Sequence, residues 1–68
     1  MKIKFKERLY ELRKEKQLSQ ASLAKEIGVT QKAIDFWEKG INEPKATYIV
    51  LLAKYFYVSC DYLLGLED

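Results

Sequence analysis

The chain has 68 residues, of which 49% are hydrophobic and 32% charged, and it carries a net charge of +2. This balance is typical of a folded domain rather than a disordered segment, and the length predicts a single domain over residues 1–68. The chain has no histidine and one cysteine, Cys60, which excludes an internal disulfide, a histidine-ligated zinc site and a Ser-His-Asp triad.

The same counts narrow the classes of function. No apolar run approaches the ~20 residues of a membrane span, so we expect no membrane partner. We also expect no metal or other cofactor and no small-molecule ligand. Catalysis is the weakest option, because Ser22, Ser59 and Cys60 have no histidine to act as their base. A small domain without a disulfide suits a reducing compartment, so we predict a cytoplasmic location.

Charge is divided unevenly along the chain. Residues 1–40 carry ten Lys/Arg and six Asp/Glu, a charge of +4, whereas residues 41–68 carry two and four, a charge of −2. The basic half favours contact with nucleic acid. The alternative, that these charges only solvate a small domain, stays open on charge alone.

The first predicted helix covers residues 5–16. Its apolar residues, Phe5, Leu9 and Leu12, are spaced four and three apart and so share one helix face. A basic arm that can reach phosphates lies at its start: Lys2, Lys4 and Lys6. For the first two of these lysines, a frayed terminus is the stronger interpretation.

Two short helices with a tight turn between them come after the first. Ser19 is a good N-cap for the first of the two, predicted over 20–26, and Thr30 for the second, predicted over 31–39. Both end at a glycine suited to the left-handed conformation, Gly28 and Gly40. Inward residues recur at helical spacing: Leu23, Ala24 and Ile27 in one helix, Ile34 and Trp37 in the other. This arrangement is a helix-turn-helix, whose second helix lies in the major groove of DNA.

Two more helices complete a predicted all-α, five-helix fold. The fourth covers residues 46–55, and the fifth covers residues 60–64 between a Ser59 cap and Gly65. The predicted core stripe of the fourth helix is Ala46, Ile49, Leu52, Ala53 and Phe56.

The whole pattern resembles the phage repressor and Cro family of helix-turn-helix regulators. The matching segments are LYELRKEK at 9–16, LSQASLAKEIGVTQKAIDFWEKGINEPKATYIVLLAKYF at 18–56 and VSCDYLLG at 58–65. The resemblance implies a lambda-repressor-like domain that binds specific double-stranded DNA sequences in a transcriptional regulator, most often a repressor.

The resemblance assigns four base-contacting positions: Gln31, Lys32, Ala33 and Phe36. Their chemistry agrees, because Gln pairs with adenine N6/N7, Lys donates to guanine O6/N7, and a small apolar residue packs on a thymine methyl. Phe36 either meets a thymine methyl and sugar or packs against a neighbouring helix. Asp35 is an exception, because its carboxylate repels phosphates. We therefore expect it to accept a hydrogen bond from cytosine N4, to pair with a lysine or to face away from the DNA.

The resemblance also implies contacts with the DNA backbone. The expected phosphate contacts are Ser19, Gln20, Thr30, Lys39, Asn42 and Lys45. The helix N-termini supply free N–H groups for this purpose. The alternatives are a merely tolerated first-turn Gln20 and a solvated loop after the third helix. By resemblance, Arg13 pairs with Glu38 as a structural ion pair.

The second half has more apolar residues than one core needs. Beyond the core stripe stand Tyr48, Val50, Leu51, Tyr55, Tyr57, Tyr62 and Leu66. We therefore predict a homodimer through residues 46–66 on a palindromic operator. The alternative is a protein-interaction module, such as an antitoxin, with the same fold.

Overall fold

The computed structural model describes residues 4–67, which form five helices joined by tight turns. The helices are α1 (Phe5–Glu15), α2 (Gln20–Ile27), α3 (Gln31–Lys39), α4 (Ala46–Phe56) and α5 (Cys60–Leu64). No strand occurs within this part of the chain. The five-helix prediction is confirmed, and only the ends of α1, α2 and α4 differ, each by one residue. The part of the basic arm assigned to Lys2 lies outside the described residues.

Three helices begin at a hydroxyl cap, as the sequence predicts. The side-chain oxygens of Ser19, Thr30 and Ser59 accept the backbone N–H of the residue three positions on, at 3.0, 3.1 and 2.9 Å. Each cap satisfies an N–H group that has no partner inside its helix. These local bonds determine where α2, α3 and α5 start.

A left-handed residue ends each helix from α2 to α5, and the steric requirement for glycine is tightest at Gly65. Its φ is +83°, and a Cβ at this position would lie 2.8 Å from the Cβ of Lys4. The backbone N–H of Lys4 donates to the Leu64 carbonyl at 3.2 Å, which brings the start of α1 against the end of α5. By contrast, α4 ends at Tyr57, a non-glycine residue with φ 57°.

Every helix contributes one fully buried side chain to a common core. These side chains are Leu9, Leu23, Ile34, Leu52 and Leu63. Around them α1 packs on α3 and α5, α2 packs on α3 and α4, and α4 packs on α5. As a result α3 has neighbours on one side and leaves its other side outward. None of the helices in residues 4–67 is long and apolar enough to cross a membrane.

The predicted core stripe of α4 needs one correction. Ala46 is exposed rather than buried, whereas Leu52, Ala53 and Phe56 are buried as predicted. Ala46 is the first residue of α4, directly after its N-cap Lys45, so it precedes the turn at which the helix meets its neighbours. Inward packing begins with the half-buried Ile49.

Candidate nucleic-acid interface

The third helix presents a polar face outward because its apolar residues are used inside. Ile34 and Trp37 are buried, so the helical period turns Gln31 and Lys32 to solvent, where both are exposed. Ala33 and Phe36, the other two predicted base-contact residues, are half-buried. The Lys32 Nζ lies 5.6 Å from the centre of the Phe36 ring, within the range of a cation–π contact.

An open groove separates the start of α2 from the outer face of α3. Its volume is about 450 Å³, and it is lined by Gln20, Gln31, Lys32 and Asp35. Two predicted base-contact residues therefore meet a predicted phosphate-contact residue in one depression. Asp35, for which the sequence left three alternatives, completes the lining.

A buried ion pair holds α3 against α1. Arg13 Nε and Nη2 donate to the two carboxylate oxygens of Glu38 at 2.6 and 2.9 Å, a bidentate arrangement. The side chains are only 9% and 6% exposed. The bond to Glu38 raises the pKa of Arg13 above its ordinary value, so the guanidinium stays charged. Arg13 Nη1 also donates to the Leu18 carbonyl at 2.8 Å, which fixes the chain just before α2.

Gln20 connects this pair to the outer face of α3. Its Nε2 donates to Glu38 Oε1 at 3.1 Å and to Asp35 Oδ1 at 3.3 Å. Both N–H groups of the amide therefore already have carboxylate partners, so donation to a phosphate requires one of these bonds to open. The sequence did not predict these contacts. The only signal was the three-residue spacing of Asp35 and Glu38, which places both acids on one side of α3.

Asp35 pairs with a lysine, one of the three alternatives considered for it. Lys39 Nζ lies 2.9 Å from Asp35 Oδ2, one turn further along α3. The bonds from Lys39 and then Gln20 lower the pKa of Asp35, and burial acts in the opposite direction. A charged carboxylate is thus held at the edge of the groove, where its side chain is 31% exposed.

The remaining predicted phosphate-contact residues lie at two places, the starts of α2 and α3 and the segment around the end of α3. Ser19 and Thr30 stand at the starts of α2 and α3, where their hydroxyls act as caps, and Ser19 Oγ also donates to Ser22 Oγ at 2.9 Å. Three exposed residues lie between the end of α3 and the start of α4: Lys39, which is the last residue of α3, Asn42 and Lys45. Lys6 adds a further amine beside them, because its Cδ lies 3.1 Å from where a Gly40 Cβ would be.

These features define a helix-turn-helix domain with an exposed polar second helix. The helix-turn-helix family model matches residues 9–63, so the chain belongs to this family. Among the relatives of this chain, two are named as HTH-type transcriptional regulators, one as a transcriptional activator and one as a repressor protein.

The similarity to these relatives extends beyond the matched region. The HTH-type transcriptional regulator YobD of Bacillus subtilis is 37% identical over 62 residues, which is 91% of this chain and 55% of YobD. Repressor protein C2 of Salmonella phage P22 is 40% identical over 58 residues, 85% of this chain and 27% of the repressor. The transcriptional activator BcrR of Enterococcus faecalis is 36% identical over 97% of this chain and 32% of its own length. The chain therefore spans about half or less of these relatives.

Solved structures agree with the fold. A transcriptional regulator from Listeria innocua superposes with a TM-score of 0.93 at 28% identity, over 100% of this chain and 64% of that one. The P22 c2 repressor in complex with a synthetic operator superposes with a TM-score of 0.86 at 36% identity, over 93% of this chain and 96% of that one.

Proposed function

We propose that this chain binds specific double-stranded DNA sequences as the DNA-binding domain of a transcriptional repressor. The observation that carries the proposal is the outward, polar N-terminal half of α3 beside the start of α2. The similarity to a repressor in complex with an operator, over nearly the full length of both chains, supports it. The domain acts by binding rather than catalysis, and we further propose that it acts in the cytoplasm.

In this proposal the first turns of α3 contact the bases. The exposed Gln31 amide pairs with an adenine edge, and the exposed Lys32 amine donates to guanine. Ala33 and Phe36 contact thymine methyl groups. Half-burial of Phe36 leaves part of its ring available for this purpose.

Contacts with the DNA backbone flank the groove on both sides. Ser19, Gln20 and Thr30 stand at the N-termini of α2 and α3, where free N–H groups and the helix dipole favour a phosphate. Lys39 at the end of α3 contacts a phosphate, and so do Asn42 and Lys45 in the segment that follows it. Most of the affinity, and its salt dependence, comes from such contacts.

A homodimer through residues 46–66 places two copies of α3 on a palindromic operator. The support is the outer side of α4, where Val50 and Leu51 are 43% and 41% exposed, and Leu66, which is 47% exposed. Apolar side chains on the outer side of a helix favour burial against a partner, and a second copy of this chain offers the same apolar surface. A change of Leu51→Glu should leave the protein monomeric in sedimentation, whereas Ala21→Glu, the same charge on α2, should not.

Selection of bound sequences from random duplex DNA tests the proposal, followed by gel-shift titration of the selected site. Gln31→Ala should cost about 1–3 kcal/mol and relax the preference at one base pair. Lys45→Ala should weaken all sequences alike and reduce the salt slope by about 1, whereas Lys14→Ala, at an exposed position of α1, should do neither. Binding that is equal for all sequences, together with capture of a stoichiometric protein partner, would instead support the interaction-module alternative.

A further inference from the structure

An acidic side chain on the outer face of a DNA-contacting helix requires an explanation. Phosphates repel it, so a carboxylate there lowers affinity unless it has a partner in the complex. Asp35 lines the groove with Gln20, Gln31 and Lys32, and its side chain is 31% exposed. Any role of Asp35 in reading DNA rests on the proposed function, because it requires that the groove bind DNA.

Two donors hold the Asp35 carboxylate in one orientation. Gln20 Nε2 donates to Oδ1 at 3.3 Å from α2, and Lys39 Nζ lies 2.9 Å from Oδ2 on α3. A carboxylate offers about four acceptor positions, so these two bonds position the group without using up its capacity. A fixed, charged acceptor with free capacity therefore faces the open groove.

Lys32 stands one helical turn before Asp35 and lines the same groove. An amine and a carboxylate that line one groove match one pattern in the major groove. Guanine presents the acceptors O6 and N7, and its partner cytosine presents the N4 amine as donor.

We infer that Asp35 is a specificity-determining residue that accepts a hydrogen bond from cytosine N4, while Lys32 donates to guanine, so that the groove reads a G·C pair. The carboxylate also acts against the alternatives. Thymine O4 and guanine O6 would face it as acceptors, and the adenine N6 amine is flanked by the acceptor N7. Repulsion of the wrong edge contributes to specificity as much as attraction of the right one.

The test begins with the selected DNA site and a scan in which each base pair is replaced in turn. At one G·C pair of each half-site, wild type should lose about 5- to 100-fold in affinity on replacement, the usual effect of one mismatch. Asp35→Ala should lose less than about 2-fold in affinity when this G·C pair is replaced, and at all other positions its losses should match those of wild type. Asp35→Asn should shift the preference at that pair towards A·T, because an amide suits adenine N6/N7.

A nucleotide analogue isolates the proposed bond. Replacing the cytosine with 2-pyrimidinone deletes the N4 amine, which should weaken wild type and leave Asp35→Ala unaffected. Glu26→Gln removes the same charge at an exposed position of α2 and should change affinity for all sites equally. Circular dichroism confirms that each variant is folded.

Two results would overturn the inference, and they are distinguishable. If wild type and Asp35→Ala give the same scan and the same response to 2-pyrimidinone, Asp35 does not read cytosine, although specific binding stands. If wild type has no preferred site at all, the proposed function fails and the role of Asp35 fails with it.

Discussion

All five helices share one apolar core, but the first three are also joined by a network of charged side chains, whereas the last two depend mainly on apolar contacts. A chain of hydrogen bonds and ion pairs runs from the Leu18 carbonyl through Arg13, Glu38, Gln20 and Asp35 to Lys39. In the second half, α4 and α5 join the core mainly through apolar side chains, chiefly Leu52, Phe56 and Leu63. Two hydrogen bonds from α1 and the residue before it add to this at α5, where the Lys4 N–H donates to the Leu64 carbonyl and Arg8 Nη1 donates to the Tyr62 carbonyl. Hydrogen bonds are directional, whereas apolar burial is not. The network of the first three helices can therefore fix the orientation of α3 relative to α1 and α2.

The outer faces of α3 and α4 also differ, one being polar and the other apolar. The outer face of α3 exposes the polar Gln31 and Lys32, whereas that of α4 exposes Val50 and Leu51. One half thus offers donors and acceptors that can discriminate between sequences, and the other offers area that favours association. Under the proposed function, DNA recognition and dimerisation would use opposite parts of a very small domain, and substitutions in each half can test this contrast.

Breaking the charged network should have the largest effect. Glu38→Ala leaves Arg13 buried without its partner, which should destabilise the fold by about 3–5 kcal/mol in urea unfolding. A double change, Arg13→Met with Glu38→Leu, should restore much of this loss, because it removes both charges. If Glu38→Ala lowers the unfolding free energy no more than Glu26→Ala does at an exposed position, the Arg13–Glu38 pair does not stabilise the fold as a buried pair should.

Removing buried apolar contacts of α5 should lower the free energy of unfolding slightly less. Leu63 is fully buried in α5, so Leu63→Ala should destabilise by about 2–5 kcal/mol, measured in the same way. Leu66→Ala, on a side chain 47% exposed, is the matched control and should change monomer stability little. Equal losses for the two leucines would mean that burial does not hold α5 in place.

Local chemistry explains why so much of the fold was predictable. A hydroxyl cap such as Ser19 and a left-handed glycine such as Gly28 act within a few residues, so each can be recognised without knowing the rest of the structure. The inward face of α3 was predictable for a related reason. Ile34 and Trp37 are three apart, which suffices to define a helix face.

Features that depend on how helices cross were not predictable from spacing. Arg13 and Glu38 are 25 residues apart, and their pairing was implied only by family resemblance. The bonds of Gln20 require the particular approach of α2 to α3. Burial of Leu63 was missed because a five-residue helix is too short to show a period. Exposure of Ala46 results from its place before the first contact of α4 with its neighbours.

Relaxing the end of α4 should have a smaller effect, and a stabilising one. Tyr57 has φ 57° and is 91% exposed, so it bears left-handed strain with little packing in return. Tyr57→Gly should stabilise by about 0.5–1 kcal/mol, the strain relieved minus the entropy of a freer unfolded chain. Gly65→Ala, the reverse change at the end of α5, should destabilise. A loss of stability in Tyr57→Gly would show that the ring makes contacts worth more than the strain.

The smallest effect should come from titrating the edge of the charged network. The pKa of Asp35 is lowered by Lys39 and Gln20, so its pairing stabilises the fold above the ordinary aspartate value of 3.8. That contribution is lost as the pH falls through the lowered pKa of the folded state. Wild type should therefore be slightly more stable than Asp35→Asn at neutral pH, and urea midpoints should converge under acid. In a Lys39→Gln background the difference should shrink, because Lys39 is the main cause of the shift. If the urea midpoints of wild type and Asp35→Asn differ by the same amount at every pH, ionisation of Asp35 contributes nothing to folding stability. The directional network then ends at Glu38.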